Sequence, residues 1–247
     1  MFKEYFKDKK AVLMDLDGTI INSHILWNEA CSEVASNLGF TWKGYYFFKE
    51  PSLEETWSSY LDFTGENYGV PLQTLITQTK DKFISQVLSR SPDDILKAGF
   101  WEFIGEIKHE RGFKVGLVTN SDREVAEKVL SHLGIGNVFA IKVFGDDVKR
   151  KKPDPEIYEK ALKEIGFKSK EVLVFEDAPL GIKAAKKAGL TVIAFMNRLY
   201  PEEDYSPKDI VVDDFTAFLG NLDKNEKEFM EEKFAYSKNS SANSDMA

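Results

Sequence analysis

Apolar positions along the chain follow two rhythms. Short apolar runs bounded by polar or turn residues predict strands at 11–14, 114–118, 139–144, 172–175 and 191–195. Between the later runs lie helix patterns with marked ends. Val125, Val129 and Leu133 recur at i+4 spacing over 122–133, and Gly134 stops that helix. A second helix takes Asp154 as N-cap and Pro155 as its first residue, and ends at Gly166 after Ile165. A third covers 179–188 and closes at Gly189. Strand and helix in repeated alternation predict an α/β fold: a Rossmann-like parallel sheet with helices on both faces.

From Asn22 to Ser91 the rhythm is helical only, with helices at 24–38 before Gly39, at 52–63 and at 71–89. The stretch "SLEE" at Ser52–Glu55 is a capping box, in which a Ser hydroxyl and a Glu three residues later satisfy free backbone N–H groups. The pattern divides the chain into an α/β core at 1–21 and 92–220 and an α-helical cap at 22–91. A C-terminal helix and disordered tail follow at 221–247, where "SKNSSANSDMA" has little to bury.

Composition narrows the class. The 247 residues are 43% hydrophobic and 30% charged, enough for a sizeable globular core. A formal net charge of −8 argues against a nucleic-acid partner, which calls for a basic face. Cys31 is the only cysteine, so there is no internal disulfide and no multi-cysteine metal site; on an apolar helical face it reads as a packed thiol. No run approaches the roughly 18 apolar residues of a membrane span, and the opening "MFKEYFKDKK" lacks a signal peptide's apolar centre. The expectation is a cytoplasmic protein without a membrane partner, a monomer or weak homodimer.

Four polar clusters fall at predicted strand ends, where open parallel sheets bind ligands. "DLDGT" (Asp15–Thr19) reads either as a turn or as a carboxylate nucleophile, Asp15, with Asp17 as a second carboxyl for proton transfer and Gly18 bending the chain. Attack by a carboxylate on a phosphate dianion requires neutralising positive charge nearby. "VTNS" (Val118–Ser121) reads either as a strand-end hydroxyl and an N-cap, or as Thr119 Oγ and the Asn120 N–H holding phosphoryl oxygens. In "KKPDP", Lys152 is stiffened by Pro153 and Pro155, so a fixed ammonium could neutralise Asp15 and a transferring phosphoryl group. "FEDAPLGI" places Glu176 and Asp177 after a buried strand, a supply suited to a small hard cation, Mg²⁺. His24, His109 and His132 are scattered, which makes a zinc site a poor reading.

In this order the clusters resemble the haloacid dehalogenase superfamily over residues 8–21 and 92–218. "FEDAPLGIKAAKKAGL" and the helical insertion resemble its α-helical-cap branch of phosphoglycolate-phosphatase-like and β-phosphoglucomutase-like enzymes. The resemblance implies an aspartyl-phosphate on Asp15, acid–base work by Asp17, and Thr119 and Lys152 holding the transferring group. It also implies Mg²⁺ held by Asp15, the Asp17 carbonyl and Asp177, with Glu176 assisting. An acid at Asp17 points to phosphate-ester chemistry. Mutase-like relatives tend to carry a histidine where this chain has Trp27, and a common Asp is Asn22 here. The expected function is a Mg²⁺-dependent phosphatase for a small phosphomonoester, a sugar phosphate or phosphoglycolate-like compound, with Asn120, Gly18 and Lys49 facing the substrate. The alternatives are a phosphosugar mutase, and a phospho-acceptor or binding scaffold. The aromatic stretch "FTWKGYYFFKEP" (Phe40–Pro51) reads as packing between cap helices or as a substrate-facing surface.

Overall fold

The computed structural model describes residues 2–44, 50–65, 69–197, 199–200, 205 and 210–221. Six strands form one parallel sheet: β1 (Ala11–Met14), β2 (Lys114–Val118), β3 (Ile141–Val143), β4 (Val172–Glu176), β5 (Thr191–Phe195) and β6 (Ile210–Val212). Their order is β3-β2-β1-β4-β5-β6. The chain builds outward from β1 in one direction, then returns to β1's other side, so the strand order reverses at β1 and β4. A crevice forms at such a point.

Period-two alternation explains why the strands read as continuous apolar runs. Val12 and Met14 of β1 face one buried cluster with Leu117, Leu173, Phe175, Ile193 and Phe195. Ala11 and Leu13 face the other with Val118, Val172, Val174, Val192 and Ala194. Both faces are therefore covered. The helices are α1 (Phe2–Tyr5), α2 (His24–Asn37), α3 (Leu53–Thr64), α4 (Leu72–Leu88), α5 (Pro92–Ile95), α6 (Phe100–Ile104), α7 (Arg123–His132), α8 (Glu156–Ile165), α9 (Pro179–Lys187) and α10 (Phe215–Gly220). Helices α6, α7 and α10 cover the first face, and α8 and α9 the second. The parallel α/β architecture is the one expected.

Most boundaries agree with the sequence pattern to within a residue or two. β3 is shorter than 139–144, because a 3₁₀ turn at Gly136–Val138 precedes it and Phe144 begins another. β6, α1, α5, α6 and α10 are additions to the expected elements. At α8 the N-cap is Pro155 rather than Asp154, yet Asp154 Oδ1 still accepts the Glu156 N–H at 3.0 Å. At Ser52 the hydroxyl oxygen accepts the Glu55 N–H at 3.2 Å, while the hydroxyl itself donates to Glu55 Oε2 at 2.6 Å.

Helices α2, α3 and α4 form the insertion between β1 and β2, with a third buried cluster around Trp42, Trp57, Tyr60, Leu75 and Ile76. It is tied to the sheet from below. Leu26 and Ala30 of α2, and Phe83 and Val87 of α4, belong to the main core. The described aromatic residues of that stretch, Phe40 and Trp42, pack with Trp57 around Tyr60. Lys49 and residues 222–247 lie outside the described residues. Among the described residues, no helix is long and apolar enough to cross a membrane.

Candidate active site

Register brings three of the four polar clusters to the carboxyl end of the sheet. Met14 pairs with Leu117 of β2 and Phe175 of β4, so the next residues along, Asp15, Val118 and Glu176, emerge side by side. Asp15 stays anchored because its N–H donates to Phe175 O at 3.0 Å. Thr119 follows on β2, held through its N–H to Val143 O at 3.0 Å.

Lys152 arrives from the loop before α8, and its ammonium donates to Asp15 Oδ1 at 2.6 Å, Val118 O at 2.9 Å and Glu176 Oε1 at 2.5 Å. All three ammonium hydrogens are thereby used. Burial alone would lower the Lys152 pKa, but Asp15 and Glu176 override it and hold the ammonium well above its ordinary range. Burial pushes the Asp15 carboxyl up, Lys152 pulls against it, and Glu176 and Asp177 add to the rise. Lys152 thus brings one ammonium against two buried acidic side chains.

Glu176 is fully engaged. Oε1 accepts from Lys152 and from Tyr158 OH at 3.2 Å, and Oε2 accepts the N–H groups of Asp177 and Ala178 at 3.0 and 3.1 Å. Asp177 is held from every side: Thr19 Oγ1 donates to Oδ1 at 2.9 Å, Asn197 Nδ2 donates to Oδ2 at 2.6 Å, and His24 Nε2 lies 3.0 Å from Oδ2. Burial raises the Asp177 carboxyl, but His24, Lys97 and Asn197 bring it below its ordinary value. Gly18 makes this approach possible. It has φ +84°, and a Cβ there would lie 2.0 Å from Asp177 Oδ2 and 2.3 Å from His24 Nε2. Its N–H donates to Ile21 O at 2.8 Å.

Asp17 sits across the boundary with the insertion. Trp27 Nε1 of α2 donates to its Oδ1 at 3.0 Å, and Ser121 Oγ donates to its Oδ2 at 2.6 Å. The Asn120 side chain clamps two segments: Oδ1 accepts the Lys152 N–H at 3.0 Å and Nδ2 donates to Pro51 O at 3.0 Å. A cavity of about 170 Å³ opens between the sheet edge and the insertion, lined by Asp15, Asp17, Thr119, Asn120 and Lys152 among others. Trp27, Ser121, His24 and Asn197 join the site without a role assigned by the sequence motifs. A helical signal does exist for two of them, since His24 and Trp27 are three residues apart and so share the first turn's face of α2.

The donor set fits a small hard cation. Asp15, Glu176 and Asp177, all buried, each place a carboxylate oxygen within 4.8 Å of the others. Asp177 spends three of its roughly four acceptor positions on protein donors. Oxygen donors without thiolates suit Mg²⁺ better than a soft metal.

The model of the family described as "Haloacid dehalogenase-like hydrolase" matches residues 12–195. Validoxylamine A 7'-phosphate phosphatase of Streptomyces hygroscopicus subsp. limoneus is 29% identical over 215 residues, covering 84% of this chain and 94% of that protein. A phosphorylated carbohydrates phosphatase of Thermotoga maritima is 31% identical over 189 residues, covering 73% and 82%. In fold, the crystal structure of β-phosphoglucomutase from Clostridium difficile aligns with a TM-score of 0.72 at 23% identity, covering 92% of this chain and 98% of that one.

Proposed function

The chain belongs to the haloacid dehalogenase-like hydrolase family, and on that premise we propose that it is a phosphatase acting on a small phosphomonoester of the sugar-phosphate or phosphoglycolate kind, with Asp15 as nucleophile. The observation that carries this reading is the pairing of two carboxyls with different surroundings. Asp15 is locked against Lys152 at 2.6 Å, while Asp17, two residues on, is held apart from it by Trp27 and Ser121. Asp15 attacks phosphorus as the bond to the leaving oxygen breaks, and Asp17 delivers a proton to that oxygen. Asp17 then takes a proton from the water that cleaves the aspartyl-phosphate. Thr119 and the Asn120 N–H at the same turn hold the transferring phosphoryl group, and Lys152 neutralises its charge from beside Asp15.

Asp15, the Asp17 carbonyl and Asp177 would hold a divalent cation, Mg²⁺ by its donor chemistry. Glu176 supports that site through its charge while steering Lys152. When bound, the cation supplies neutralisation of phosphoryl-oxygen charge. Residues 22–91 act as a cap, with Asn120–Pro51 and Trp27–Asp17 among its contacts to the core. Gly18 serves by making space for Asp177 and His24. Lys49 as a reader of the leaving group rests on the sequence alone. The Streptomyces and Thermotoga relatives are both phosphatases, which favours hydrolysis over phosphosugar transfer.

The test is phosphate release from a panel of sugar phosphates, phosphoglycolate and p-nitrophenyl phosphate, with Mg²⁺ and with chelator. Release that needs Mg²⁺ and vanishes in Asp15→Asn is the expected result. Undiminished release by folded Asp15→Asn, or none from any ester by wild type, overturns it.

A further inference from the structure

Trp27 belongs to the helical insertion, yet its indole N–H ends on a carboxyl of the sheet edge. The donor lies 3.0 Å from Asp17 Oδ1, and the ring is stacked on Phe83 of α4 with centroids 3.7 Å apart and planes 3° from parallel. Phe83 is 1% exposed and packed in the main core, so the indole is held by a fixed neighbour. On the other oxygen of Asp17 stands the Ser121 hydroxyl, at 2.6 Å.

These two partners differ chemically. An indole N–H can only donate, whereas a hydroxyl can donate or accept. Oδ1 facing Trp27 must therefore always be an acceptor. With one lone pair of Oδ1 taken up by the indole N–H, a proton on Asp17 is favoured on Oδ2, where Ser121 Oγ can turn from donor to acceptor.

We infer that Trp27 is a positioning residue for the acid: it fixes the rotation of the Asp17 carboxyl and assigns the transferable proton to Oδ2, so that the insertion completes the proton donor of the core. The inference rests on the phosphatase reading above. In the first step the P–O bond to the leaving group breaks as the Asp15–P bond forms, and the Oδ2 proton moves to the leaving oxygen. The O–H bonding pair stays on Asp17 as carboxylate.

The consequence is selective for the leaving group. An alkoxide needs the proton, whereas p-nitrophenolate leaves without one. Trp27→Phe keeps an aromatic ring to stack on Phe83 and removes the N–H together with the indole's second ring. Because kcat/KM reports steps up to release of the alcohol, it should fall about tenfold or more for an alkyl phosphate, within the range of acid–base contributions. For p-nitrophenyl phosphate it should change less than about threefold. Trp27→His, which restores a ring N–H donor, should recover part of the alkyl activity. Phe83→Leu, which keeps the N–H but frees the ring, should show the same selectivity in weaker form, and carries the test if Trp27→Phe does not fold. Equal losses on both esters, or no loss on the alkyl ester, overturn the inference. Wild-type release from both esters that is abolished by Asp15→Asn separates the two levels: if wild type is inert the phosphatase reading falls and this one with it, and if wild type is active with uniform losses only the role of Trp27 falls.

Discussion

Lys152 Nζ lies 2.6 Å from Asp15 Oδ1 with both side chains less than a tenth exposed, and the same ammonium holds Glu176. Removing it leaves two buried carboxylates without their cation. Breaking a buried pair by deleting one partner costs about 3–5 kcal/mol. Lys152→Met should therefore be destabilised by an amount of that order in urea unfolding and release no phosphate above background. Lys152→Met/Glu176→Gln removes one of the stranded charges and should regain part of the stability while remaining inactive. A single variant as stable as wild type would contradict the ion-pair account.

Gly18 offers a sharper separation of binding from chemistry. Alanine there must adopt φ +84° and place a methyl group 2.0 Å from Asp177 Oδ2. The left-handed backbone alone costs about 1–2 kcal/mol, and the clash pushes Asp177 and His24 apart. Gly18→Ala should weaken Mg²⁺ binding by at least about tenfold in calorimetric titration, as changes around metal ligands do. Unchanged affinity in a folded variant would show that Asp177 is not a ligand.

Much of this arrangement is legible in the amino-acid sequence. Four of the five expected strands read closely, because a parallel sheet buried on both faces leaves uninterrupted apolar runs such as Ala11–Met14 and residues 172–175. Asp15, Thr119, Glu176 and Asp177 come together because they close or directly follow such runs, whereas Lys152 joins them from the loop before α8. What stays hidden depends on contacts distant in sequence. Trp27 stands out in the sequence only as a departure from relatives, since nothing local tells that its N–H reaches Asp17 ten residues back. Ser121 reads as an N-cap, although Asp122 holds that place at α7 and the Ser121 hydroxyl turns to Asp17. His24 looks as isolated as the other two histidines, because its bond to Asp177 spans 153 positions. β6 escapes because three residues, Ile210–Val212, are too few to show a period.

Asp122 ties the insertion to the core at the rim of the cavity, pairing with Lys80 of α4 and, at 3.2 Å, with Lys151. Burial raises its carboxyl, but the two lysines bring it below the ordinary value near 3.8. A carboxyl depressed in the folded state adds stability that is complete above its unfolded value and is lost as pH falls through the folded one. Asp122→Asn should thus be less stable than wild type by about 0.5–1 kcal/mol at pH 7, given partial solvent screening. The gap should close below about pH 4 in pH-dependent unfolding. A gap that does not narrow at all as pH falls below the ordinary value would assign the effect to something other than charge.

Trp57 tests whether the aromatic residues of the insertion pack or read substrate. It is 0% exposed, lies against Trp42 and Tyr60, and donates to Thr79 Oγ1 at 3.1 Å. Trp57→Ala should cost about 3–5 kcal/mol as a large-to-small core change. Trp57→Phe, which mainly forfeits the bond to Thr79, should cost about 1 kcal/mol. With the ring away from substrate, Trp57→Phe should keep kcat/KM within about twofold for every ester, because a cavity-facing aromatic would change the ratios among them. The insertion also shares its base with the sheet, through Leu26 and Ala30 of α2 and Phe83 and Val87 of α4. Loss of Trp57 should accordingly lower one common unfolding transition instead of creating an early one. Hydrogen exchange distinguishes the cases: amides of α3 opening in Trp57→Ala while β1 and β4 keep full protection would show that the insertion is an independent unit, contrary to its shared core.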